Sequence, residues 1–165
     1  MKEILVSNDG YEQFFLELEK LKDSITSNAL ISTEACNDAV GDGWHDNFAY
    51  DEAMRQERFI VSKVNDMIND IPFLKVIDDI YDSDKININD TIEVLIKYAD
   101  DDDEKEILKL TGKYSPNTND VNGVKEISLN SPIGKAIYKQ KIGESVYYEV
   151  GNNNIEVSIL KKINN

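Results

Sequence analysis

Prolines are absent before Pro72, and over most of that first stretch apolar residues recur at three- and four-residue steps. That period restricts the first half of the chain to long helices. Asn8 or Asp9 can cap the first helix, whose apolar positions are Tyr11, Phe14, Phe15, Leu18, Leu21 and Ile25. The pattern loosens through Leu30, Ile31 and Ala35 but is not broken before Gly41, which gives about 30 residues, or roughly 45 Å at the helical rise. From Phe48 the period resumes through Ala49, Ala53, Phe59, Ile60, Val64, Met67 and Ile71, and Pro72 stops it. Two glycines, Gly41 and Gly43, end the first helix, and Asp46 or Asn47 can cap the second. The expected form is an antiparallel α-helical coiled-coil hairpin over residues 1–77, with a seam that serves packing alone. Its tip carries two carboxylates, Asp42 and Asp46, with His45 between them.

The second half changes period. Residues 78–89 open with an acidic run and are expected to form a linker, and 90–165 read as a separate small domain. Thr91 to Tyr98 is rich in β-branched residues, Glu106 to Tyr114 reads as the returning strand, and Val124 to Leu129 as a third. Ser131-Pro132 has the form of an N-cap followed by proline at the first helical position, opening a short helix over Ile133 to Tyr138. Ser145 to Val150 and Ile155 to Ile163 flank Gly151-Asn152-Asn153-Asn154, a hairpin turn. The fold class is α+β, with a small antiparallel sheet and one short helix after the helical hairpin.

Charge narrows the function. Eighteen basic residues against 32 acidic give a net charge of -14, which opposes binding of free duplex DNA and favours a basic partner. The single cysteine, Cys36, permits no disulfide within the chain, and one histidine with one cysteine argues against a Cys/His zinc site. Asp100 to Asp103 lacks the glycine and terminal glutamate of a calcium loop and reads as a solvated hairpin tip. The N-terminal apolar run is too short for a signal peptide and no stretch approaches a membrane span, so a cytoplasmic protein without a membrane partner is expected.

Several segments together resemble the bacterial Gre transcript cleavage factors. They are Leu18-Glu19-Lys20-Leu21-Lys22, the tip with Gly41-Asp42 and Asn47-Phe48-Ala49-Tyr50, Leu74-Lys75-Val76-Ile77-Asp78, and above all Ile127-Ser128-Leu129-Asn130-Ser131-Pro132-Ile133-Gly134-Lys135-Ala136-Ile137. The resemblance covers nearly the whole chain and implies an FKBP-like C-terminal domain behind the hairpin. It also implies a monomeric elongation factor, not itself an enzyme, that enters the secondary channel of bacterial RNA polymerase. There it would stimulate the polymerase's own cleavage of backtracked nascent RNA. On this pattern Asp42 and Asp46 are the catalytic tip acids, completing a Mg2+ site only within the polymerase complex. Asn130, Ser131 and Pro132 map to the polymerase-docking loop.

Trp44, His45, Arg55 and Arg58 are the candidate contacts to the RNA 3′ end. For each a plainer reading stays open: Trp44 folded back on the hairpin, His45 in solvent, and the arginines as part of a solvated face. The family's tip reads Gly-Asp-x-x-Glu-Asn-x-x-Tyr, whereas here Asp42 and Asp46 stand four apart and the second acid is the shorter one. That insertion favours an alternative, a channel-occupying regulator that docks in the same way without promoting cleavage. A third reading, peptidyl-prolyl isomerase activity, rests on the FKBP-like shape alone.

Overall fold

The computed structural model describes residues 2–38, 48–98, 102–117 and 122–163, with side chains omitted over 28–38 and 48–50. The chain forms two compact units, one built from Met1–Phe14 with Leu74–Asn165 and the other from Phe15–Phe73. The architecture is α+β, with a helical N-terminal part and a mixed β-sheet. Among the described residues no helix is long and apolar enough to cross a membrane.

Two helices account for the Phe15–Phe73 unit. Helix α1 spans Asn8–Asp38, 31 residues, and α2 spans Phe48–Asp70, 23 residues, followed by a 3-10 turn at Ile71–Phe73 where Pro72 blocks continuation. Leu18, Val64 and Met67 are buried, and Lys63 Nζ lies 2.6 Å from Glu17 Oε1, bringing α2 beside α1. Phe59, expected in the seam, is instead 72% exposed. Steps of three and four from the buried pair lead back through Ile60, and the residue beside it must face outward. The start of α1 also differs from expectation. Ser7 is the cap: its Oγ accepts from the Gly10 N–H at 3.0 Å and its carbonyl from the Tyr11 N–H at 2.8 Å.

In the other unit a five-stranded sheet runs in the order β5-β4-β3-β7-β6. The strands are β3 (Thr91–Lys97), β4 (Glu104–Thr111), β5 (Val124–Ser128), β6 (Ser145–Val150) and β7 (Asn153–Ile163), with α3 (Pro132–Ile137) between β5 and β6. Strict alternation puts Ile92, Val94 and Ile96 of β3 into the core and Glu93, Leu95 and Lys97 on the outer face. On β7, Ile155, Val157 and Ile159 face the same core. Continued alternation would send Lys161 inward. A register shift opposite Glu93 and Val94 leaves Leu160 as an extra residue, so Lys161 turns outward to Glu93 at 2.9 Å and Lys162 inward to Asp90 at 2.9 Å.

The expected antiparallel sheet is corrected in one place. β4 and β5 pair in parallel, Ile107 opposite Val124 through Thr111 opposite Ser128. The connection through residues 112–123 is long enough for a parallel crossover, which takes about a dozen residues, whereas a hairpin needs only a few. Two short strands escape the sequence reading altogether: β1 (Ile4–Val6) and β2 (Leu74–Val76) form a separate parallel pair. The segment 78–89 also differs from a linker. Ile86 and Ile88 belong to the hydrophobic core and Asn87 between them is 1% exposed.

The first turns of α1 pack on this same unit. Phe14, 1% exposed, meets the Tyr114 ring edge-on at 4.9 Å between centroids. Ser7 N donates to Gly112 O at 3.1 Å. Gly10 and Gly112 permit that approach, since a Cβ on Gly10 would collide with the Gly112 carbonyl and one on Gly112 would stand 2.6 Å from Ser7 Cβ.

Candidate functional site

The tip acids Asp42 and Asp46, with Trp44 and His45, lie outside the described residues; the described backbone resumes at Phe48, where α2 begins. Both arginines of the chain are on α2. Arg55, with 74% of its side chain exposed, reaches Glu52 one turn earlier at 3.5 Å, a surface pair of little energetic weight, and Arg58 is exposed.

Leu129, Asn130 and Ser131 connect β5 to α3, whose first residue is Pro132. The expected cap is present: Ser131 is extended, its Oγ accepts from the Gly134 N–H at 3.0 Å and donates to Ser128 O at 2.7 Å, and Pro132 opens the helix with its ring exposed. Gly134 is required here because a Cβ would run into the Ser128 carbonyl.

Asn130 has a different task. Backbone groups of alternate residues in a strand face opposite edges. Val6 O of β1 accepts from the Ile77 N–H at 3.0 Å on the β2 side, so the polar groups of Leu5 face away from β2. The Asn130 side chain takes both. Its Oδ1 accepts from Leu5 N at 2.8 Å and its Nδ2 donates to Leu5 O at 2.7 Å, as one more peptide unit beside β1 would. Of the three expected docking residues, Pro132 is therefore the most available to a partner, and Asn130 is committed within its own unit.

A second polar cluster organises residues 79–90 and was not foreseen from the sequence. Asp79 Oδ2 accepts from the Ile88 N–H at 2.6 Å, while its Oδ1 accepts from the Tyr138 hydroxyl at 3.0 Å and forms an ion pair with Lys139. The Asn87 amide donates to Asp82 O at 2.8 Å and Lys85 O at 2.9 Å, and its Oδ1 accepts from Asp82 N at 3.1 Å and Lys139 Nζ at 2.8 Å. Asp90 accepts from Asn87 N at 2.7 Å and pairs with Lys162, whose side chain is 10% exposed. Burial, then the bond to Asp79, raises the Tyr138 phenol to about 12, so it stays a donor throughout the physiological range. The one available signal was the alternation in Ile86-Asn87-Ile88, apolar on either side of an amide.

On the outer face of the sheet lysines and glutamates neutralise one another. Lys97 meets Glu156 at 3.2 Å, Lys105 meets Glu93 at 3.2 Å, and Lys113 meets Glu126 at 3.0 Å. Burial pushes the Glu126 carboxyl up, but Lys113 and the Asn117 N–H outweigh it and hold it below its ordinary value. Among the described residues, Lys97, Lys105 and Lys113 are thus each matched to a carboxylate and add no uncompensated positive charge of the kind that phosphate neutralisation needs. Among the described residues no group of three or more His, Cys, Asp or Glu side chains could hold a metal ion.

Residues 81–163, from within the 79–90 segment to the end of β7, match the family model described as transcription elongation factor, GreA/GreB, C-term. The transcription elongation factor GreA of Thermosipho africanus is 32% identical over 143 residues, covering 87% of this chain and 85% of that protein. That of Acetivibrio thermocellus is 29% identical over 162 residues, covering 97% and 96%. The crystal structure of Thermus aquaticus Gfh1 aligns over 98% of this chain and 99% of its own with a TM-score of 0.45 and 15% identity, values too low to add to the assignment. With half its length matched to the family model and a relative 32% identical over most of both chains, this chain belongs to the GreA/GreB family of transcription elongation factors.

Proposed function

We propose that this chain binds bacterial RNA polymerase, places residues 39–47 in the secondary channel, and stimulates cleavage of backtracked nascent RNA. The observation that carries the reading is an acidic tip, Gly41-Asp42 to Asp46-Asn47, placed between two long helices in a chain of this family. On this reading α1 and α2 form a coiled-coil hairpin and the sheet unit is FKBP-like. The stretch of α1 from Glu17 to Asp38 is about 30 Å long at the helical rise, enough to carry a tip well away from the Lys63–Glu17 pair.

Two carboxylates suit a hard divalent cation such as Mg2+, yet they cannot fill its octahedral shell, so the remaining oxygens must come from water and the polymerase. When bound there, the ion supplies charge stabilisation and an activated water. The chain's own contribution is to bring Asp42 and Asp46 to the ion as ligand and water-orienting group, while Pro132 and its neighbours hold the factor on the enzyme. On the same reading Trp44, His45, Arg55 and Arg58 are the candidate contacts to the RNA end.

The test is transcript cleavage in stalled, backtracked elongation complexes with Mg2+, with and without the protein. Stimulated cleavage that falls in Asp42→Asn and Asp46→Asn supports the reading, and stimulation unchanged in both variants removes the catalytic assignment. The four-residue step between the acids favours the second reading, a channel-occupying regulator, because a displacement of about 1 Å can cost roughly two orders of magnitude in rate. Slowed nucleotide addition with backtracked RNA left intact would select it.

A further inference from the structure

We propose that Ile80 and Tyr81 form a docking crest for a basic segment of the polymerase, separate from the turn at Asn130–Pro132; this rests on the polymerase-binding reading above. Ile80 is 82% exposed and Tyr81 68%, adjacent large apolar side chains turned to solvent. Ordinary loops do not hold such a pair in place. Here both flanks are fixed: Asp79 is held by Ile88, Tyr138 and Lys139, Ile80 O accepts from Lys139 Nζ at 2.8 Å, and Asp82 is bonded twice to Asn87. Lys162 Nζ sits 5.2 Å from the centre of the Tyr81 ring. The crest is thus presented on a braced support, as an interface anchor is when little ordering is left for binding.

A concavity of about 410 Å³ lies along one side of the crest, with Ile77 and Ile88 among its lining and Asp9 and Asp78 beside them. A second, of about 600 Å³, is lined by Ile80 and Tyr81 together with Asp82, Ser83, Lys85 and Lys139. Lys85, Lys139 and Lys162 are already matched to Asp82, Asp79 and Asp90, which leaves Asp9, Asp78 and Asp84 as the local charge excess. In a chain of net charge -14, an acidic rim around an apolar crest fits a segment that brings lysine or arginine beside an apolar recess. A second copy of this chain would bring the same acids against each other.

The experiment measures binding of the full chain to purified bacterial core RNA polymerase for wild type, Ile80→Ser/Tyr81→Ser and Asp78→Lys. Thermal melts check folding, and sedimentation checks self-association. All the substituted side chains are exposed. The expected result is a loss of about tenfold or more in affinity for the double variant, weaker binding for Asp78→Lys, and unchanged melts. Wild-type affinity in either variant overturns the crest while leaving polymerase binding intact. No polymerase binding by wild type overturns both. Self-association that the double variant abolishes would assign the crest to a second copy and overturn the proposal.

Discussion

Replacing Asn130 with alanine removes, besides a long 3.5 Å bond from its Nδ2 to Ser128 Oγ, both hydrogen bonds to Leu5. At 2.8 and 2.7 Å both are of good length, and they are the means by which Leu5 satisfies its backbone on the edge away from β2. At about 0.5–1.5 kcal/mol net for each bond the pair contributes about 1–3 kcal/mol. Leu5 is only half-buried, so water can reach the vacated groups and holds the loss below the cost of a fully buried orphan. Urea denaturation of Asn130→Ala should report a loss in that range with an unchanged slope. Amide exchange should speed up at Leu5 and its β1 neighbours before any change in β3 or β7. Asn130→Asp keeps the acceptor for the Leu5 N–H but sets a carboxylate against the Leu5 carbonyl, and should be no better than alanine. Native stability together with unchanged Leu5 exchange in both variants would refute the clasp. The result also bears on docking, because any weaker polymerase binding by Asn130→Ala then reports a displaced β1, whereas Pro132→Ala tests the exposed turn directly.

Gly10→Ala pits helix propensity, worth up to about 1 kcal/mol in favour of alanine, against a collision with the Gly112 carbonyl; overpacking at about 1–3 kcal/mol should win, giving net destabilisation in urea. Tyr138→Phe should lose about 1.5–3 kcal/mol by the same measurement, through its bond to the ionised Asp79, with faster amide exchange at Ile88. Leu18→Ala should cost about 2–5 kcal/mol and Phe59→Ser no more than about 0.5, a contrast that locates the helical seam. The Glu126 carboxyl is held below its ordinary value when folded, so between the two values the unfolded chain binds more protons. Its contribution is therefore full above the unfolded value and is lost as pH falls through the folded one, and Glu126→Gln should flatten that part of the acid limb in urea titrations.

The elements legible from sequence were those with a regular period or a local chemical signature. Ile92, Val94 and Ile96 alternate, and Ser131-Pro132 states its own cap, so β3 and α3 appear where expected. β1 has three residues, all apolar, and only its partner gives it meaning. Parallel pairing of β4 with β5 leaves no mark on either strand; only the length of the connection hints at it. Phe59 and Ile60 are equally apolar, and the choice between them needed the buried positions of Val64 and Met67. Residues 78–89 misled because their acids look solvated, whereas Asp79 is spent on an internal amide, a phenol and a lysine. Of the proposed site, the tip acids and the turn at Asn130–Pro132 were legible only as a motif; that Asn130 is turned toward β1 was not, since its partner lies 125 residues away.

That separation matters for the order in which the protein is made. During synthesis Leu5 leaves the ribosome early, β2 follows only after both helices, and Asn130 arrives later still. Until then the first strand has one edge without its amide partner and, before β2, neither. The helices depend mostly on near neighbours and can form as they emerge, while the N-terminal strand must wait for contacts of high sequence separation, the kind that slow folding most. A nascent chain stalled shortly before residue 130 should therefore carry formed helices and an unprotected N-terminus, open to proteases that the finished chain resists.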